Sequence, residues 1–313
     1  MNTAKQKTVL VLGANGGFGS HMVHELLSHG YQVKCLVRDP NKLNDSLMGI
    51  DIKVIKGDAA NISEVTQAAQ GCEILVYAIN MPYAQWQQKS LSTLEVSVRL
   101  SEKNNMTLIF PGNVYIHNPA HGPNFSESSS HQPVTKKGKI RQAMELRLKR
   151  ASHNGAKILI IRAGDFIGKN AKNTWLDFML KKGRSGYTLS AGTKQDITHS
   201  WAYLPDVAKA CIALLNAGLP KAYNDFNFAG YQISFTDIAQ AIERESGKKV
   251  KMAYIPWWLF SLLAPVLPFF KELNEMRYLW EQELNLNEDK LKKVLPEFKV
   301  TPIGTALRET KLI

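Results

Sequence analysis

No C-x-x-C pair, no H-E-x-x-H helix and no G-x-S-x-G elbow occurs in this sequence, which removes the usual signatures of dithiol chemistry, zinc hydrolysis and serine hydrolysis. Cysteine is scarce: Cys35, Cys72 and Cys211 are the only three in 313 residues, and each lies in or beside an apolar segment, so they read as reduced core thiols. The N-terminal MNTAKQKTVLVLG lacks the apolar stretch and small-residue cleavage site of a secretory signal, so a cytoplasmic location is expected. No apolar run reaches the ~20 residues of a spanning helix. The longest candidate, Ile255 to Phe270, is broken by Pro265 and Pro268 and reads as a buried helix or a hydrophobic wall of a substrate pocket. Peripheral membrane contact through Trp257 and Trp258, beside Lys271, is the lesser reading. His21 and His24 stand three apart on a helix without a third ligand, so no metal is expected.

Acidic residues are also short, 27 Asp and Glu against 39 Lys and Arg, a formal net charge of +12. The excess is dispersed. Its densest segment, Lys136 to Arg150, carries Ile140, Met144 and Leu148 at helical spacing and reads as a core-packed helix with a cationic face. Nucleic acid is therefore not expected, and an anionic cofactor or substrate is the better partner for the charge.

What is present is alternation. Short aliphatic runs at Thr8 to Leu12, Gln32 to Val37, Lys53 to Ile55, Ile74 to Tyr77, Thr107 to Phe110 and Lys157 to Ile161 predict strands. Amphipathic stretches at Gly17 to His29, Ile62 to Gln70, Leu91 to Asn104 and Lys139 to Ser152 predict the helices between them. The pattern is that of βαβ units and a parallel sheet. Alternation is lost after Gly164, where helices near Trp175 to Lys181, after Pro205 and after Ser234, and a strand near Asp225 to Phe228, are expected. The expected architecture is an α/β Rossmann-type doubly wound parallel sheet over residues 1–165, with a return segment near 200–217, and a smaller C-terminal substrate lobe over 166–313. His117 to Thr135, rich in Pro, Gly, Ser and Asn, is the longest loop and is expected either to bind a ligand or to be disordered.

The first strand runs into Gly13-Ala14-Asn15-Gly16-Gly17-Phe18-Gly19, a G-x-x-G-x-x-G turn that opens a helix. One glycine allows the tight turn, one lets the backbone approach a pyrophosphate at the helix N-terminus, and one lets helix and strand pack closely. The second strand ends in CLVRDP, where Arg38 stands in place of the acidic residue that would bind a free ribose 2′-OH. Arg38 can pair with a 2′-phosphate, so NADP is favoured over NAD, while Asp39 reads as a turn former. Ligands of such sheets lie outside the carboxyl ends of the strands. That rule nominates Asp58 and Ala59, with Asp58 toward adenine, then Ala78, Ile79 and Asn80, then Pro111 to Asn113, and finally Gly164 with Asp165.

These segments resemble the short-chain dehydrogenase/reductase superfamily in its extended and atypical, epimerase/dehydratase-like branches: LVLGANGGFG, CLVRDP, GDAAN, FPGNVY, IRAGDFIG and WAYLPDVAKA keep the family's order and spacing up to about Pro256. The resemblance implies a Ser or Thr after the fifth strand and a Tyr-x-x-x-Lys on the next helix, with the Tyr as proton donor and the Lys lowering its pKa. In this chain those positions hold Pro111, Lys137 and Arg141. Lys137, Ile140, Arg141 and Glu145 are also similar to the K-x-x-[IV]-R-x-x-x-E helix of isoflavone-reductase-like NADPH reductases, which implies Lys137 as the acid/base. Its cationic neighbours Lys136, Lys139 and Arg141 would disfavour its protonation, and the alternative role is a ribose anchor. Tyr115 is the second choice for proton transfer, and Asn113 either orients a carbonyl oxygen or caps a turn. Trp175, Tyr187, Trp201, Trp257 and Trp258 suit a flat apolar ligand and core packing equally.

The function expected is an NADP(H)-dependent oxidoreductase or epimerase-like enzyme acting on a small carbonyl or sugar-type molecule. The rival is a non-catalytic NADP-binding sensor without the Ser/Tyr/Lys set, and a homodimer stays open.

Overall fold

The computed structural model describes residues 6–169 and 174–313. The first half runs β1 (Thr8–Leu12), α1 (Gly17–Ser28), β2 (Gln32–Val37), β3 (Lys53–Lys56), α2 (Ile62–Ala68), β4 (Ile74–Tyr77), α3 (Tyr83–Asn104), β5 (Thr107–Asn113), β6 (Asn124–Phe125), α4 (Lys136–His153) and β7 (Lys157–Ala163). The second continues with β8 (Asp165–Ile167), α5 (Trp175–Met179), β9 (Leu180–Lys182), β10 (Gly186–Ala191), β11 (His199–Tyr203), α6 (Leu204–Ala217), β12 (Tyr223–Phe228) and β13 (Tyr231–Ile233). It closes with α7 (Phe235–Ser246), β14 (Lys249–Tyr254), α8 (Trp257–Leu263), α9 (Pro268–Asn274), β15 (Asn285–Leu286), α10 (Asp289–Val294) and α11 (Ile303–Glu309).

Seven strands form one parallel sheet in the order β12-β7-β5-β4-β1-β2-β3. Its central strands are apolar on both sides because helices cover both faces; Val9 to Leu12 are fully buried. Met22, Val23 and Leu26 of α1 with Val207, Cys211 and Leu214 of α6 close one face. Leu94 and Val98 of α3 with Met144 and Leu148 of α4 close the other. The chain winds outward from β1 to β3 and returns to β4 on the other side of β1, so the strand order reverses between β1 and β4. That reversal opens a crevice at the carboxyl ends.

The strands and helices expected in the first half are present, with shifted starts. α3 begins at Tyr83 rather than Leu91, because residues 83–90 pack Trp86 and Ser90 inward although most of that turn is polar. α4 begins at Lys136 rather than Lys139, capped by the Thr135 side chain on Gly138 N–H at 3.0 Å. The 117–135 segment is pinned instead of free: β6 pairs in parallel with β15, Phe125 is buried, and Asn227 donates to Phe125 C=O at 3.0 Å.

Around β9-β10-β14 and β8-β11-β13 lies a second core of aromatic side chains, including Trp175, Tyr187, Trp201, Phe235, Trp257 and Trp280. Of the aromatics offered for a flat ligand, Trp175, Tyr187, Trp201 and Trp257 are therefore core residues, and Trp258 alone is exposed. Ser234 and Asp237 form a reciprocal capping box that starts α7.

Candidate active site

The glycine turn sits at the strand reversal. Gly13 holds φ +84, and a Cβ there would lie 2.5 Å from the Ala78 carbonyl oxygen, so only glycine lets the tip of β1 lie against the tip of β4. Gly16 N–H donates to Gly13 C=O at 3.0 Å and starts α1, which has neither a side-chain cap nor an acidic residue in its first turn. The positive end of α1 thus faces the crevice with free N–H groups. A Cβ on Gly16 would meet nothing closer than 3.4 Å, whereas one on Gly19 would overlap the Gly13 carbonyl. Gly16 is therefore left open toward the crevice, and Gly19 is required by packing.

Other nominated residues divide. Phe18 buries its side chain between α1 and the sheet. Asn15 donates to Lys42 C=O and accepts from Asn44 N–H, both at 3.0 Å, which fixes the 39–44 turn beside the crevice. Asp39 accepts from Asn41 N–H at 3.1 Å as a turn former, while Arg38 is exposed and has no hydrogen-bond or ionic partner among the described residues. Asp58 accepts from Ala60 N–H at 2.9 Å, which leaves its second carboxylate oxygen exposed. Ala78 is buried at the end of β4, Ile79 is partly covered, and Asn80 is exposed.

At the tips of β5 and β7 the charges are buried. Arg162 pairs bidentately with Glu145 of α4 at 2.8 Å and 2.8 Å and donates to Asn113 C=O at 2.9 Å. Asn113 accepts from Tyr115 N–H at 3.2 Å, which is the turn-capping role. Arg141 donates to Pro111 C=O and lies 4.4 Å from the Phe110 ring centroid, and burial lowers its guanidinium to about 10. A cavity of about 20 Å³ beside it, bordered by Tyr77, Asn80 and Trp86, holds no more than a water.

Next to this lies a cluster that spans the whole chain. Gly138 lets the start of α4 press on the Tyr115 backbone, where a Cβ would overlap the Tyr115 carbonyl oxygen. This brings Lys137 to Tyr83, its Nζ 4.9 Å from the ring centroid, and Tyr83 and Tyr115 share a hydroxyl hydrogen bond of 2.8 Å. Lys137 is 2% exposed and donates from Nζ to the carboxylates of Glu272 and Glu275, the latter at 2.7 Å, while its backbone N–H reaches Glu275 at 3.0 Å. The cationic neighbourhood expected for Lys137 is thus corrected: two carboxylates from the α9 region surround its amine.

Asp165, paired through its backbone at the start of β8, completes the cluster, and its carboxylate makes no hydrogen bond among the described residues. Desolvation pushes its carboxyl up to about 7. Burial pushes the Tyr83 phenol up to about 12, and Tyr115 goes well above its ordinary value through burial, the Tyr83 phenol and the Asp165 charge. The two phenols therefore stay protonated as hydrogen-bond donors, and Asp165 can change charge near neutrality.

The raised Asp165 pKa has a sign that can be tested. Its stabilising protonated state is fully populated below the unfolded value of 3.8 and is lost as pH climbs through about 7. Stability should therefore fall between those limits, and Asp165→Asn should flatten that part of the profile in chemical denaturation measured across pH. An unchanged slope would show that Asp165 is solvated.

Glu272, Glu275 and Tyr83 were not singled out by the sequence. Glu272 and Glu275 are 135 and 138 positions from Lys137, and no local motif announces a pairing over that distance.

Residues 13–165 match a family model described as NAD(P)H-binding. Among curated proteins, the chloroplastic protein High Chlorophyll Fluorescence Phenotype 173 of Arabidopsis thaliana is 32% identical over 74 residues, 24% of this chain and 12% of that one. The bifunctional dihydroflavonol 4-reductase/flavanone 4-reductase of Pyrus communis is 34% identical over 76 residues, 22% of each chain. The matched stretches thus span 12% and 22% of these relatives. The UDP-glucose 4-epimerase of Bifidobacterium longum, solved in complex with NAD+ and UDP, superposes with a TM-score of 0.76 over 98% of this chain and 97% of that one at 14% identity, a shared fold. The expected Rossmann-type parallel sheet is borne out, and the NAD(P)H-binding match over residues 13–165 agrees with the resemblance to the short-chain dehydrogenase/reductase superfamily.

Proposed function

We propose that this chain, whose residues 13–165 belong to the NAD(P)H-binding family, is a cytoplasmic NADP(H)-dependent oxidoreductase or epimerase-like enzyme for a small carbonyl or sugar-type molecule. The observation that carries the cofactor choice is the pair at the tip of β2: Arg38 is exposed and unpartnered among the described residues, and Asp39 spends its carboxylate on the turn. A 2′-phosphate suits the first, and the second is engaged in the turn through Oδ1, with its Oδ2 3.6 Å from Lys42 Nζ. Arg38→Ala should weaken NADPH by roughly 10- to 150-fold, the loss of one charge-assisted contact, and leave NADH nearly unchanged in calorimetric titration. Equal losses for both cofactors would remove the assignment.

The crevice fits a dinucleotide on its own features: a helix N-terminus without a side-chain cap, a glycine cradle open at Gly16, and an exposed Arg38 with no partner among the described residues. Gly13 to Gly19 would hold the pyrophosphate and Asp58 the adenine side. A bound nicotinamide supplies the hydride chemistry. The chain's own residues then divide the remaining work. Tyr83 and Tyr115, kept neutral by burial, orient a carbonyl or hydroxyl oxygen; Lys137 moves a proton once its amine leaves Glu272 and Glu275; and Asp165 sets the charge of the cleft.

One observation favours the sensor reading. Pro111, Lys137 and Arg141 occupy the family's Ser, Tyr and Lys positions, and Lys137 is held by two carboxylates. Titration with NADPH followed by a turnover panel of carbonyl compounds and nucleotide sugars separates the readings. The enzyme oxidises NADPH or interconverts a sugar on the panel; the sensor binds NADPH tightly and turns over nothing.

A further inference from the structure

We infer that the α8–α9 element is an interfacial anchor that docks the protein on an anionic lipid surface. α8 has two apolar faces where a soluble helix has one. Trp257 and Phe260 face inward, with Trp257 Nε1 donating to Gly192 C=O at 3.0 Å, while Trp258 and Leu262 point outward at 71% and 67% exposure. The turn that follows and the start of α9 add Val266, Leu267 and Phe269, at 78%, 44% and 59% exposure. Phe260 packs on Phe270 at 5.0 Å between centroids, and Leu267 N–H returns to Leu263 C=O at 2.9 Å, so helices and turn form one body.

Six of the twelve exposed large hydrophobic side chains of the described chain fall between Tyr254 and Phe269. Single exposed apolar residues are ordinary; a concentration of this kind marks an interaction surface. Among the described residues nothing covers it.

Its occupant is argued from charge and composition. Residues 246–271 contain Lys248, Lys249, Lys251 and Lys271 and no acidic residue, all four lysines are exposed, and the chain carries a formal +12. A second copy of this chain would bring the same lysine-bearing, acid-free segment against it, whereas an anionic bilayer complements it. A tryptophan at the edge of an aliphatic and aromatic face, flanked by lysines, is the composition of helices that lie in the interface plane. No helix among the described residues is long and apolar enough to cross a membrane, and α8 and α9 have seven residues each. Of the two tryptophans offered for lipid contact by the sequence, Trp257 is corrected to a core residue and Trp258 retained. α9 also carries Glu272, which holds Lys137, so docking would set the mouth of the catalytic cluster at the lipid surface.

Flotation of the full-length protein with phosphatidylcholine vesicles, with and without about one third phosphatidylglycerol, tests this. The protein should float with the anionic vesicles only, and salt should release it. Trp258→Ser and Leu262→Ser, both at exposed positions, should each lower the partition coefficient about tenfold with an unchanged melting temperature. Lys251→Gln with Lys271→Gln should abolish the preference for anionic lipid. Failure to float, or equal flotation with neutral vesicles, overturns the inference. So does a dimer in analytical ultracentrifugation that Trp258→Ser converts to monomer, since the face would then belong to a second copy.

Discussion

Gly16→Val is expected to leave the protein folded and to reduce NADPH affinity by about two orders of magnitude or more. The backbone at Gly16 has φ −81 and ψ 166, an extended conformation that valine adopts without strain. Its Cβ would stand 3.4 Å from the nearest protein atom beyond its chain neighbours, the Gly13 carbonyl oxygen, a van der Waals contact that the native packing can take. The branch would instead project toward the free N–H groups of α1, where a pyrophosphate has to come within hydrogen-bond distance of the backbone. Gly13→Val is the contrasting change. It combines a positive φ with a Cβ 2.5 Å from Ala78 C=O, so it should lower the melting temperature markedly before binding can be asked about. Thermal melts and NADPH titrations on the pair separate a ligand-facing glycine from a packing glycine. A folded Gly16→Val protein with wild-type NADPH affinity would take the cofactor away from this turn.

That contrast also shows where sequence reading reaches its limit. The glycine spacing, the strand before it and the helix after it identify the turn, because each glycine answers a local backbone demand. Which glycine packs on protein is not written locally: Gly13 is fixed by Ala78, brought in by β4 from 65 positions away, and only the assembled sheet shows that contact. The strands were legible for a similar reason. A parallel sheet covered on both faces writes itself as short continuous apolar runs, and β1, β2 and β4 coincide with theirs. α3 was legible only from Leu91, because its first turns expose polar side chains and begin after Pro82 without a side-chain cap. The candidate site around Lys137 was the least legible part. Lys137 and Tyr115 lie in recognisable segments, but their partners Tyr83, Glu272 and Glu275 come from α3 and the α9 region through contacts that no local periodicity encodes. The cationic run around Lys137 therefore misled: the neighbours of its amine in space are carboxylates.

Lys137→Met is the second large effect, and the carboxylates change how it must be measured. A positioned proton donor contributes ~10² to 10⁴ in rate, so kcat on a substrate found in the turnover panel should fall by that factor. NADPH affinity should stay within a few fold, since the proposed pyrophosphate and 2′-phosphate contacts, at Gly13 to Gly19 and Arg38, lie elsewhere. The substitution also leaves Glu272 and Glu275 without their cation, at 25% and 23% side-chain exposure, so part of any loss can arise from displaced carboxylates. Lys137→Met in a Glu272→Gln, Glu275→Gln background removes that contribution, because the amides retain volume and hydrogen bonding and carry no charge. If Lys137 transfers the proton, this triple variant is as slow as the single one, and the double Gln variant alone keeps turnover. If Lys137 only neutralises the two carboxylates, the triple variant recovers most of its rate. A ribose anchor gives a third pattern, weaker NADPH binding with turnover largely retained at saturating cofactor. Either of the last two outcomes removes Lys137 as acid/base and makes Tyr115, hydrogen-bonded to Tyr83 at 2.8 Å, the next residue to change.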